Sequence, residues 1–177
     1  MKEQQKKYEL TGEFIEHWSG KKLYRIRALV SFGVVVAGQL GGFVESEKNL
    51  DQSLSGNAWV SGDAWVSGDA RVYGNAQVYG NAQVYGNAQV YGNARVRSYA
   101  VISERKMIFW ASNVGSENGT LTVFNGKDGL IVTRGCFTGA VDEFLAKSAE
   151  VHDDKTKNEY KLLIEVAKSR ILGVKDE

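Results

Sequence analysis

Between residues 54 and 105, apolar and polar positions recur with a period of six. One unit reads Ala58-Trp59-Val60-Ser61-Gly62-Asp63, and its alanine returns at Ala64, Ala70, Ala76, Ala82, Ala88, Ala94 and Ala100. A valine, or finally Ile102, follows each alanine by two positions. On a strand these two share one face, and the residue between them points the other way. Leu54 opens the series, and glycines from Gly56 to Gly92 each precede Asn or Asp. Gly-Asn and Gly-Asp tolerate positive φ and make tight corners, so all seven of these glycines are expected at corners. A short strand and a corner repeated without drift describe either a parallel β-helix or an antiparallel meander. The meander leaves very short strands with only Ala and Val on one face and two open edges. The repeat is therefore expected to wind a parallel β-helix.

The Val-x-Gly-x-Ala-x unit resembles the hexapeptide-repeat proteins, whose chains wind a left-handed triangular β-helix. That resemblance implies three hexads per coil, with residues eighteen apart superposed at about the interstrand spacing of 4.8 Å. The face of Trp59 then continues as Gln77 and Arg95, and that of Trp65 as Gln83 and Val101. Tyr73, Tyr79, Tyr85 and Tyr91 scatter over three faces, with only Tyr73 and Tyr91 superposed. Corner stacks form at Asn57/Asn75/Asn93, Asp63/Asn81 and Asp69/Asn87.

The flanks lose the six-residue period. Tyr8 to Ile15 and Lys22 to Leu29 alternate as two strands around the turn His17-Trp18-Ser19-Gly20. They read as an N-terminal β-hairpin cap over 1–50, ahead of a repeat region at 51–105. The remaining 106–177 reads as a C-terminal α+β unit. Its strands are expected at 107–111, 120–124 and 130–133, with a helix from Thr138 to Lys147 and another near 156–172. The second helix carries the stripe Tyr160, Leu163, Ile164, Ala167, Ile171, which would cover the small sheet. The fold class expected is mainly β: a short left-handed parallel β-helix with these two attachments.

Composition narrows the function. The chain has 177 residues, 20 glycines, no proline and one cysteine. Collagen and polyproline ligands are excluded, because both need proline. Lys+Arg of 22 against Asp+Glu of 21 is too balanced for a dedicated nucleic-acid or membrane-surface binder. No apolar run approaches the roughly 20 residues of a spanning helix. The charged N-terminus lacks an apolar stretch, so a cytoplasmic protein without a secretory leader is expected.

Candidate chemistry is sparse. Hexapeptide carbonic anhydrases use three histidines for zinc, and hexapeptide acyltransferases use one as a general base. Here only His17 and His152 occur, both outside the repeat and read as solvated loop residues. Cys136 reads as a small core residue rather than a nucleophile. No metal, cofactor or catalytic residue is assigned, and the expectation is a protein without enzymatic activity. Outward residues Trp59, Trp65, Tyr73, Tyr79, Tyr85, Tyr91, Arg95 and Arg97 form a candidate protein-contact surface. A second candidate is an anion site at Arg134, Gly135, Cys136 and Thr138, where backbone N–H groups would precede a helix N-terminus.

Leu23 to Leu29, Gly38 to Glu45, the repeats, and Arg134 to Gly139 with Asp142-Glu143-Phe144 are together similar to phage and prophage hexapeptide-repeat proteins. Those are labelled transferase-like and bring no catalytic residues. The resemblance implies a phage-type protein in the host cytoplasm, a homotrimer, and a host protein as partner, a defence component among them. The alternatives are a nucleotide binder or sponge, an acyltransferase-like enzyme, and a structural trimer of the virion.

Overall fold

A computed structural model describes residues 5–173. The repeat folds into eight two-residue strands: β4 (Trp59–Val60), β5 (Trp65–Val66), β6 (Arg71–Val72), β7 (Gln77–Val78), β8 (Gln83–Val84), β9 (Gln89–Val90), β10 (Arg95–Val96) and β11 (Val101–Ile102). They pair in parallel across coils: Gln77 lies between Trp59 and Arg95, Gln83 between Trp65 and Val101, and Arg71 beside Gln89. This is a β-solenoid of about three turns with the eighteen-residue spacing of three hexads. Its alanines and valines are sealed from solvent, and each fully buried valine contributes about 1.5–3 kcal/mol relative to an exposed one. Left-handed glycine corners make this possible, because φ is positive from Gly62 through Gly92.

The start of the series differs from the sequence expectation. Leu54 is 49% exposed, Gly56 lacks positive φ, and Leu50 fills the inward position, bridging to Val72. The intervening loop is longer than a hexad because Gln52 is drawn to the N-terminal strand. Its Oε1 accepts from the N–H groups of Lys7 and Tyr8, and its Nε2 donates to the Tyr8 carbonyl. At the other end, Ser98 takes the left-handed corner at φ 62°.

The two N-terminal strands form as expected: β1 (Tyr8–Glu16) and β2 (Lys22–Ala28) pair antiparallel. A third strand, β3 (Leu40–Val44), pairs antiparallel with β2 and parallel with β5. One solenoid face therefore grows into the six-stranded order β1-β2-β3-β5-β8-β11, and the stack of coils begins before residue 51. Trp59, expected on the surface, is only 2% exposed: Tyr8 and Phe32 pack edge-on against it. Lys7 is buried in the same cap, where its Nζ donates to the Ala58 carbonyl at 2.9 Å and lies over the Phe32 ring.

The C-terminal unit is a four-stranded antiparallel sheet of β12 (Ile108–Val114), β13 (Gly119–Gly126), β14 (Gly129–Arg134) and β15 (Phe137–Ala140), followed by α1 (Val141–Val151) and α2 (Asp154–Leu172). Strand β15 was not expected. It folds back on β14, pairing Thr138 with Thr133, and this delays the first helix from Thr138 to Val141. Strand β13 serves both neighbours through its two-residue alternation. Phe124 closes the solenoid core, while Leu121 and Val123 pack with Tyr160, Ile164, Ala167 and Ile171 under the helices. Among the described residues no helix is long and apolar enough to cross a membrane.

Candidate functional site

Arg95 lies at the last rung of its face, where no further coil can satisfy its backbone. Threonine hydroxyls of the sheet do so instead: Arg95 N–H donates to Thr122 Oγ1 at 3.1 Å, and Thr133 Oγ1 donates to the Arg95 carbonyl at 2.7 Å. The side chain is left outside, exposed and in no ion pair among the described residues.

Two other arginines arrive beside it. Arg97 donates from Nη1 to Thr138 Oγ1 at 3.0 Å and from Nη2 to the Gly135 carbonyl at 2.9 Å, with its guanidinium 5.0 Å from the Tyr79 ring centroid. Burial lowers its pKa from the ordinary arginine value, opposed by nearby Cys136. Arg134 donates from Nε to the Tyr160 hydroxyl at 2.8 Å, and its Nη1 stands 3.4 Å from Glu117 Oε2. Arg97 Nε and Arg134 Nη2 are shielded from solvent without a partner among the described residues.

The structure thus brings together residues that the sequence reading kept in separate groups. Arg134 and Gly135 join Arg95 in lining a groove of about 700 Å³, while Arg97 stands behind Gly135, bonded to it and to Thr138, and Cys136 lies in the same turn outside the lining. The groove follows the Asn57/Asn75/Asn93 corner and the Gln77 face, with Val34 of the N-terminal loop at the far rim. The expected helix N-terminus is not its anion donor, since Thr138 lies in β15 and Gly135 in the preceding turn. Cys136 is exposed in that turn rather than packed in the core. The carboxamides were legible as a stack, yet the groove they line was not. Closing it takes Val34 and Glu117, which are distant in sequence.

The aromatic residues divide differently. Trp59 is covered by the N-terminal cap. Tyr73 and Tyr91 stack with centroids 4.9 Å apart, and Trp110 meets Tyr91 edge-on at 4.6 Å. Trp65 and Tyr85 are 5.6 Å apart on another side. The histidines are less solvated than expected. His17 lies 4.9 Å from the Trp65 ring and contacts Ser19 through Nδ1, while His152 contacts Ser148 at the end of α1.

A family model described as the YdcK β-solenoid repeat matches residues 64–80 and 88–104. Each segment is about one coil long and lies within the solenoid, so the repeat is similar to that family's and the chain is a repeat β-helix protein. Comparison with curated proteins gives no match.

Proposed function

We propose that this protein is a non-enzymatic, phage-type binding protein with a left-handed coil of the hexapeptide-repeat kind. It acts as a homotrimer that engages a host protein, with an anti-phage defence component within that class. The observation carrying this reading is the set of aromatic side chains held rigid on the solenoid exterior: Tyr73, Tyr91 and Trp110 in one column, Trp65 and Tyr85 in another. Aromatic groups already fixed by packing give up little conformational entropy on binding and make effective anchors at protein interfaces. The phage origin and the trimer rest on the resemblance of the repeats and flanks. The host cytoplasm as its location rests on the same resemblance.

The test pairs mass photometry with affinity capture from host lysate. A trimer gives a single species at three chain masses. A specific partner is recovered by the native protein and lost when Trp65 and Tyr85 are both replaced by serine, with the trimer intact. A monomer at micromolar concentration, or capture indifferent to those replacements, contradicts the reading.

A further inference from the structure

We propose that the groove between the Trp59–Gln77–Arg95 face and the turn after Arg134 binds a small phosphate monoester that also carries hydroxyl groups. Sugar phosphates and mononucleotides share this chemistry. The site goes beyond the protein-binding role and stands on separate observations.

Charge is the first. Cations and anions nearly cancel over the chain, at 22 and 21. Arg95 and Arg134 line the groove with one carboxylate, Glu117, which is largely exposed and only loosely engaged at 3.4 Å, and a third arginine, Arg97, stands behind Gly135 of the same rim. Planar guanidinium groups match phosphate oxygens bidentately, and a phosphate monoester near pH 7 carries about −1.5 to −2, close to the local excess.

Preorganisation is the second. Arg97 is pinned by Thr138, Gly135 and the Tyr79 ring, and Arg134 by Tyr160, so neither must be ordered by a ligand. Both retain a shielded N–H group without an acceptor among the described residues, a costly arrangement that an incoming anion offsets electrostatically.

The carboxamides supply the third. Asn75 Oδ1 accepts from the Asn57 N–H, and Gln77 Nε2 donates to the Asn57 carbonyl. These bonds fix the two side chains and leave an Asn75 donor and a Gln77 acceptor for the groove. Asn93, one coil beyond Asn75, adds a further amide at the coil spacing of about 4.8 Å. Each carries donors and an acceptor, which suits hydroxyl groups. The volume of about 700 Å³ falls in the range of small-molecule sites.

Calorimetric titration of the full chain at low ionic strength tests this, with ribose 5-phosphate and adenosine 5′-monophosphate as probes. Ribose, adenosine and inorganic phosphate are the controls. At least one ester is expected to bind tenfold or more tightly than its uncharged counterpart and than inorganic phosphate. Arg95→Gln, whose packing role lies in its backbone, should weaken that ester tenfold or more while melting as the parent does. Glu117→Gln should tighten it about threefold. Absence of binding by both esters up to 10 mM, or affinity unchanged in Arg95→Gln, overturns the site. Inorganic phosphate binding as tightly as the esters overturns the role given to the carboxamides.

Discussion

Tyr73 and Tyr91 lie one coil apart with ring centroids separated by 4.9 Å and planes only 5° from parallel. Trp110, arriving from the C-terminal sheet, meets the second ring edge-on. The column thereby ties the solenoid to its cap through surface aromatics. Tyr91→Ala removes both contacts, although the side chain is 36% exposed, and is expected to cost about 1–2 kcal/mol. Tyr99→Ala, at a more exposed tyrosine outside any aromatic pair among the described residues, should stay within about 0.5 kcal/mol. Denaturant unfolding of the two variants compares them. Equal losses would show that the column carries no stability of its own.

Lys7 gives the protein a basic-range pH dependence. Burial lowers its pKa from 10.5 to about 8, with Asp51 acting in the opposite direction. Between those values the unfolded chain holds a proton that the folded chain has released, so stability rises with pH. The gain attributable to Lys7 between pH 7.5 and 9.5 is about 1–2 kcal/mol. Tyr8 acts oppositely at higher pH. Burial raises its pKa above the ordinary value of 10.0, so ionisation of the unfolded tyrosine removes stability there. Denaturant titrations of the native chain and Lys7→Met at both pH values isolate the lysine contribution. The variant should lose the rise, and an unchanged rise would contradict the assignment.

The corner positions differ in strain. Gly74 has φ +68°, and an added Cβ would lie 3.0 Å from the Gly92 nitrogen of the next coil. Gly74→Ala should therefore destabilise by about 1–2 kcal/mol. Ser98 already occupies such a corner at φ 62°, so Ser98→Gly should stabilise by about 0.5 kcal/mol after the entropic cost in the unfolded chain. Thermal or urea melts measure both signs.

Cys136 stands exposed in the turn between β14 and β15. A chromogenic disulfide reagent should modify one thiol per chain under native conditions. Adding denaturant should raise the rate by less than about tenfold. Protection until unfolding would place the thiol in a core after all.

The C-terminal helices illustrate what local pattern can and cannot convey. The apolar stripe of α2 was legible, and Tyr160, Ile164, Ala167 and Ile171 are buried as its period requires. The start of α1 was displaced because Thr138 and the acidic turn after it have helix-cap character. Pairing of β15 with β14 is a tertiary preference that overrides that local signal.

Sequence alone determined the solenoid: Ala and Val two apart, glycine at each corner, and a period of six admit few other ways to bury that stripe. It also carried the superposition of Tyr73 on Tyr91, because a fixed coil length converts spacing directly into contact. Tertiary structure decided which outward residues remain outward. Trp59 and Trp65 occupy equivalent repeat positions, yet Tyr8 and Phe32 close over the first while the second stays partly open. It also decided the groove, behind whose rim Arg97 meets Gly135 and Thr138 across about forty residues of chain. Such meetings depend on how the end caps dock, and docking is set by shape and hydrogen bonding between distant segments rather than by any local period.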